Sequence, residues 1–267
     1  MADSPRLEGW ALILGASSGF GGATAVELAR NGMDIFGVHL DRAQTMPLAQ
    51  QVVSDVTALG RKASFFNVNA ADDAKRAQVL ERIRETAGSA APVRLLMHSL
   101  AFGTLRRYIS LDEPSEVLTR AQIEMTLDVM ANSLVYWTRD LVHAGLMGRG
   151  ATIWAMTSGG DTRAIPTYGA VSAAKAALNA HIRQLAFELA PLGIRANSIR
   201  AGVTDTPALR KIPVHDQLIE QATARNPSNR TTTPSDVASA IATLAQPGAA
   251  WMTGNVINVD GGEEIVA

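Results

Sequence analysis

The feature that most constrains this chain is a regular alternation of short apolar runs with longer amphipathic ones. It begins close to the start. Trp10-Ala11-Leu12-Ile13-Leu14 is an apolar run closed by Gly15. A run that short, without a polar residue, reads as a strand buried on both faces. A helix is expected from about Gly19 to Asn31, with Asn31-Gly32 as its stop. Further strands are expected at about 34–40, 63–68, 93–97, 152–156, 194–199 and 256–259. Helices are expected between them at about 43–59, 72–87, 120–147 and 168–189. Such alternation specifies a parallel sheet with helices on both faces, joined by right-handed crossovers. The expected fold is therefore α/β, one doubly wound domain over residues 1–267 with about seven parallel strands. The one long stretch without periodicity, Gly202 to Thr233, holds Pro207, Pro213 and Pro227 and reads as a substrate lid.

Composition narrows the function classes. Cysteine is absent, which excludes disulfides, thiolate metal sites and cysteine nucleophiles. A net charge of -1 and the lack of a basic run argue against a nucleic-acid surface. The start, Met1 to Gly9, is short and polar, and no apolar run reaches membrane-spanning length. The expectation is a cytoplasmic protein without a membrane segment and without a metal.

The first strand–helix turn reads Gly15-Ala16-Ser17-Ser18-Gly19-Phe20-Gly21-Gly22. Gly15 permits a tight turn, while Gly19 and Gly21 let backbone approach a pyrophosphate and let helix and strand pack closely. The helix N-terminus adds N–H groups and partial positive charge. This makes a Rossmann-type dinucleotide site the expectation, with Asn69, Ala70, Ser99, Leu100, Ala101, Gly202, Thr204 and Thr206 as further cofactor contacts at the strand ends. At the end of strand two the chain reads His39-Leu40-Asp41-Arg42. His39 stands where an acid would bind a free ribose diol, and Arg42 suits a 2′-phosphate, although Asp41 opposes it. NADPH is the expected cofactor, with NADH as the alternative.

Tyr168 and Lys175 open the last long helix, with six residues between them. Seven positions are almost two turns, so both side chains share a face, ~10 Å apart along the axis at ~1.5 Å rise per residue. A phenol, with pKa ~10, is a poor acid unless a cation helps it. A Tyr and a Lys converging on one cleft make an acid or an oxyanion binder; a packed Tyr and a solvated Lys are the plain alternative.

Taken together, the Gly15–Gly21 loop, the Tyr168–Lys175 pair, Asn197-Ser198-Ile199-Arg200-Ala201-Gly202 and Asn258-Val259-Asp260-Gly261-Gly262 resemble the short-chain dehydrogenase/reductase family over essentially the whole chain. Carbonyl reductases of that family mostly place Tyr four positions before Lys, where this chain has Val171. The longer gap looks like the enoyl-acyl-carrier-protein reductases, as do His98-Ser99-Leu100-Ala101-Phe102 and Arg163-Ala164-Ile165-Pro166. The ordinary glycine spacing and the segment Asp205 to Pro213 are similar to the enoyl reductase variant, first known from bacilli, that uses NADPH. Ser158 stands where many enoyl reductases carry a second Tyr. The family's helix Asn falls at Met130, or is displaced to Asn132.

The resemblance implies hydride transfer from NAD(P)H to the β-carbon of a trans-2-enoyl thioester in fatty acid synthesis, and a homotetramer. Tyr168 would hold the thioester oxygen as charge develops on it, Lys175 would bind the nicotinamide ribose, and Ser158 would give a second hydrogen bond or simply cap its strand. Phe102, Ile165, Leu209 and Ile212 are apolar and suit an acyl channel or ordinary packing. Arg106, Arg107, Arg210 and Lys211 flank the expected mouth, where an acidic acyl-carrier protein would dock, or where they are simply solvated; the acyl carrier is expected to be an acyl-carrier protein or coenzyme A. Two other readings stay open: a carbonyl reductase or alcohol dehydrogenase with a shifted Tyr, and a non-catalytic dinucleotide sensor.

Overall fold

The computed structural model describes residues 6–88 and 90–266; the first five residues of the polar start lie outside them. The strands are β1 (Trp10–Leu14), β2 (Asp34–His39), β3 (Ala63–Asn67), β4 (Val93–His98), β5 (Thr152–Thr157), β6 (Arg195–Ala201) and β7 (Val256–Val259). They form one sheet in the order β3-β2-β1-β4-β5-β6-β7, parallel throughout. The order reverses at β1, which pairs with β2 on one side and β4 on the other. That switch opens a crevice beyond the carboxyl ends of the strands, where such sheets bind ligands.

Side chains alternate across the sheet, so each apolar strand feeds two cores. Leu12, Leu14 and Phe36 pack with Trp137, Leu178 and Ile182. Ala11, Ile13 and Ile35 face the opposite way, toward Leu28, Val56 and Ile241. Those partners come from helices α1 (Gly19–Arg30), α2 (Met46–Ala58), α5 (Ser133–His143), α6 (Gly169–Leu189) and α8 (Pro234–Leu244), which follow α3 (Asp73–Ala87), α4 (Arg120–Leu127) and α7 (His215–Arg225) in the chain's own order. Burial on both faces is why β1, in the middle of the sheet, reads as a continuous apolar run.

Three departures from the sequence expectations have physical causes. The helix expected over 120–147 is α4 and α5 joined by a wide π-type turn, Asp128–Asn132. There the Ser133 hydroxyl donates to the Val129 carbonyl and meets the buried His98 ring. The helix stops at Gly145, not at Gly148 or Gly150: Gly145 is left-handed (φ 68). Leu146 N–H closes back on Leu141 O (2.9 Å), and Gly145 N–H on Val142 O (3.0 Å), the Schellman arrangement. Lastly, the 202–233 segment is not irregular, since it contains α7, and α8 follows it directly. The start of α8 carries Pro234 in its first turn and a reciprocal Thr233–Asp236 capping box.

Among the described residues no helix is long and apolar enough to cross a membrane. Leu178 is fully buried in the larger core and Trp251 is fully exposed. Leu178→Ala is expected to cost about 2–5 kcal/mol, and Trp251→Ala to stay within about 0.5 kcal/mol, both read from urea unfolding.

Candidate active site

The crevice at the carboxyl ends of the strands is a cleft of about 630 Å³. One end is the β1–α1 turn. Gly15 and Ala16 N–H both donate to Val38 O (2.8 and 3.1 Å), which ties the turn to β2. Gly15 has φ 90, and a Cβ there would lie 2.4 Å from Ser99 O. Gly21 is tighter still, since a Cβ would sit 2.0 Å from Gly15 O. Gly21 therefore serves the close helix-to-turn packing expected of its spacing, while Gly15, Gly19 and Phe20 line the cleft. Ser18 caps α1 without a side-chain bond, and the first turn holds no acidic residue, so the helix N-terminus is left for an anion. Above it, Thr206 approaches Gly19: a Cβ on Gly19 would meet its methyl at 3.7 Å. A turn too close for any side chain, facing an uncapped helix end, fits a dinucleotide pyrophosphate.

The end of β2 differs from the sequence reading. His39 lines the cleft wall, and its Nδ1 pairs with Asp41 Oδ2 (2.9 Å). Asn67 grips the Asp41 backbone twice, accepting from its N–H (2.9 Å) and donating to its carbonyl (2.9 Å). Burial acts to raise the Asp41 pKa, but the hydroxyls of Thr45 and Ser17 and the His39 ring hold the carboxyl below its usual range. Arg42 is exposed beside this carboxylate, and the cleft wall at this point is formed by His39 and Leu40.

The remaining candidates converge. Ser17, Ser18, Phe20, Asn69, Ala70, Ser99, Leu100, Ala101, Gly202, Thr204 and Thr206 line the cleft, as do Ser158, Tyr168 and Lys175. Phe102, Ile165, Leu209 and Ile212 line it as well. Val171 is buried at the edge of the larger core and lines the cleft beside Tyr168, where its apolar side chain offers no acid.

Tyr168 sits immediately before α6 as its N-cap. The residue before it, Thr167, is held at φ 63, a left-handed conformation that a β-branched residue adopts only under constraint. Gly160 makes room for the ring: a Cβ there would meet Tyr168 Cε1 at 2.7 Å. Burial raises the phenol's pKa, contact with Ser158 offsets part of this, and the charge of Asp161 adds to the rise. The contact is loose, because Ser158 Oγ has no hydrogen-bond partner of normal geometry. Tyr168 is thus a neutral donor at physiological pH.

Lys175 is buried and donates to Met156 O (2.7 Å) and Leu100 O (3.4 Å). Burial lowers its pKa to about 8, against the opposing pull of Asp161. Nearby His98 is fully buried, with Nε2 on Ser133 Oγ (2.9 Å) and Nδ1 unpartnered. Burial, then the positive charge of Lys175, lowers its pKa to about 3, so it is neutral. Met130 lines the cleft while Asn132 turns away to pair with His181 (3.2 Å). No asparagine side chain from this helix faces Lys175.

Sequence reasoning missed the far wall. Gln221, Ala222 and Arg225 of α7 line the cleft, together with Glu263 and Glu264. Glu263 accepts from Arg225 (3.0 Å) and from Val203 N–H (2.9 Å), and Glu264 pairs with Arg163 (2.6 Å). The C-terminal turn thereby ties α7 and the Tyr168 loop together. Of the four basic residues expected at the mouth, Arg106 pairs with Glu116 (3.2 Å) and Arg210 with Asp205 (2.7 Å). Among the described residues no group of three His, Cys, Asp or Glu is placed to hold a metal ion.

Comparison with known proteins agrees with this arrangement. The profile of the family described as Enoyl-(Acyl carrier protein) reductase matches residues 15–264. An uncharacterized oxidoreductase of Bacillus subtilis is 29% identical over 256 residues, covering 94% of this chain and 95% of its own. The 1-cyclohexenylcarbonyl-CoA reductase of Streptomyces collinus is 29% identical over 262 residues, covering 96% and 87%. The crystal structure of the enoyl-[acyl-carrier-protein] reductase (NADH) of Aquifex aeolicus superposes with a TM-score of 0.83 at 25% identity, covering 97% of each chain.

The seat of the phenol can be tested. Gly160→Ala is expected to push the Tyr168 ring out of line and lower turnover by about 10²-fold, while dinucleotide binding, followed by fluorescence titration, changes little.

Proposed function

The chain belongs to the enoyl-(acyl carrier protein) reductase family and is an oxidoreductase; from that premise we propose that it reduces the conjugated double bond of a trans-2-enoyl thioester. The observation that carries this reading is the Tyr168–Lys175 pair in the cleft, with the apolar Val171 lining the same cleft at the position where a carbonyl reductase of the wider family would hold its acid. Bound against the glycine turn, a reduced nicotinamide cofactor supplies the hydride. The residues of the chain supply the rest. Tyr168 donates a hydrogen bond to the thioester oxygen, where negative charge builds as the β-carbon is reduced. Losing one such donor typically costs ~2.7–4 kcal/mol of barrier, or about 10²–10³ in rate. Lys175 brings a positive charge to the same region and holds the cofactor ribose. Ser158 offers a weaker second donor. Met130, Ile165 and Leu209 line the acyl side.

The absence of a facing asparagine supports chemistry in which Tyr168 holds an enolate and no long proton relay runs through this helix. The carrier follows the same logic. Arg106 and Arg210 are engaged in ion pairs, which weakens the electrostatic case for an acyl-carrier protein at the mouth. A relative that is a CoA-thioester reductase supports a coenzyme A thioester. A homotetramer remains part of the proposal on family grounds.

The proposed cofactor changes from NADPH to NADH. The carboxylate of Asp41, paired with His39 on a backbone that Asn67 holds, lies next to the cleft wall formed by His39 and Leu40 and near Ser17 of the glycine turn. A 2′-phosphate would meet this charge, whereas a ribose diol would donate to it.

Two measurements test this reading. Crotonyl-coenzyme A and acetoacetyl-coenzyme A are each incubated with the protein while loss of the 340 nm band typical of reduced nicotinamides is followed. Turnover of the enoyl thioester, reduced about 10²-fold or more by Tyr168→Phe, is expected; turnover of the ketone alone contradicts the reading. For the cofactor, NADH is expected to bind at least about tenfold more tightly than NADPH, equivalent to ~1.4 kcal/mol. Asp41→Asn is expected to narrow that ratio.

A further inference from the structure

Behind Tyr168 and Lys175 lies a buried charge cluster that the proposed reaction does not use. The Asp161 side chain is 1% exposed. It accepts from Arg200 through both oxygens (2.9 Å each), from Asn179 Nδ2, and from the Thr157 hydroxyl (3.1 Å). These donors come from three elements, and each element also carries part of the site. Thr157 ends β5 next to Ser158; Asn179 lies one turn beyond Lys175 on α6; Arg200, on β6, lines the cleft. No carboxylate is among the hydrogen-bond partners of Lys175, which donates only to the Met156 and Leu100 carbonyls.

We propose that Asp161 is a positioning residue, whose carboxylate locks β5, β6 and α6 together and holds the charge and aim of Lys175 from behind. The proposal rests on reading Tyr168 and Lys175 as the reacting pair, but its test is independent of turnover. Burying a carboxylate is costly unless it is paired and hydrogen-bonded. Three donors meeting on one buried side chain, at the junction of the three site-bearing elements, is a built arrangement and not a surface accident. Its effect on its neighbours follows from sign. Burial drives the Lys175 ammonium toward the neutral amine, and the negative charge of Asp161 opposes that; the same charge disfavours a phenolate at Tyr168. The charged and titratable groups around the cluster are Lys175 and Tyr168 on α6, Arg200 on β6 and His98 on β4. Arg163 and Glu264 flank it from the loop and the C-terminal turn, and a Cβ on Gly159 would lie 3.6 Å from Glu264 Oε2. His98 is neutral and His181 lies beyond it.

The test compares Asp161→Asn, which keeps the shape but removes the charge, with Asn179→Ala, which removes one bond but keeps the charge. The readout is the titration of Lys175 by NMR in the cofactor-free protein carrying ¹³C-labelled lysine, assigned against Lys175→Gln. Lys175 should lose its proton as pH rises through about 8 in the unsubstituted protein. Asp161→Asn is expected to move that midpoint down by about one pH unit, and the alkaline limb of kcat/KM down with it. Asn179→Ala is expected to lower stability and leave the midpoint in place. An unmoved midpoint in a folded Asp161→Asn protein overturns the proposal, as does an equal downward shift in both variants. If Asp161→Asn does not fold, Arg200→Gln decides: loss of this positive charge should move the midpoint up, and a downward shift or none overturns the proposal. A protein that turns over no enoyl thioester yet shows the expected NMR shifts overturns the reaction and leaves the role of Asp161 standing.

Discussion

The desolvation of Lys175 is the constraint on which the site depends. An ammonium group taken out of water loses its hydration and is driven toward the neutral amine unless the protein replaces that hydration. Here two backbone carbonyls at the ends of β4 and β5 accept from it, and a carboxylate behind them opposes the loss of charge. The result is a cation with a pKa of about 8, lowered by burial, poised just above neutrality. Such a group can stabilise charge developing nearby far better than a solvated lysine, because little water remains to screen it.

That constraint depends in turn on the sheet. Carbonyls converge on Lys175 only because β4 and β5 are parallel neighbours ending at one level. The reversal of strand order at β1 places the glycine turn across the crevice from them. The turn can approach so closely because Gly15 and Gly21 lack side chains: a Cβ at either would meet backbone at 2.4 and 2.0 Å. One close packing thus shapes the glycine-turn end of the cleft, and one buried cation marks the Tyr168 end. Between them, the strained Thr167 and the room left by Gly160 fix the phenol.

Much of this was legible in the residue order, for reasons that differ element by element. Strand β1 read clearly because burial on both faces leaves no polar residue within it, whereas the edge strands β3 and β7 are only partly buried. The strand-end residues of the cleft followed from the topology, since a doubly wound sheet places ligands at its carboxyl ends. Helix α7 was missed because only Ala222 on it is buried, so it has no apolar stripe to detect. Helix α8 had a legible start in Thr233-Pro234-Ser235-Asp236, hidden by the prolines of the preceding 202–233 segment. The setting of Asp41 was not legible locally, because Asn67, which holds its backbone, lies 26 residues away. Asp161 had no local signature at all, because its partners Asn179 and Arg200 lie 18 and 39 residues along the chain.

The central claim is that the hydride is delivered to a carbon–carbon double bond and that Tyr168 holds the resulting enolate. The most direct measurement follows the label: crotonyl-coenzyme A is incubated with reduced cofactor deuterated at the transferable position, and the product is examined by mass spectrometry and NMR. One deuterium at C3 of butyryl-coenzyme A, formed by the unsubstituted protein and strongly suppressed in Tyr168→Phe, is the result this account predicts. Deuterium found only at the carbinol carbon of a hydroxyacyl product from acetoacetyl-coenzyme A, with crotonyl-coenzyme A recovered unchanged, would contradict it.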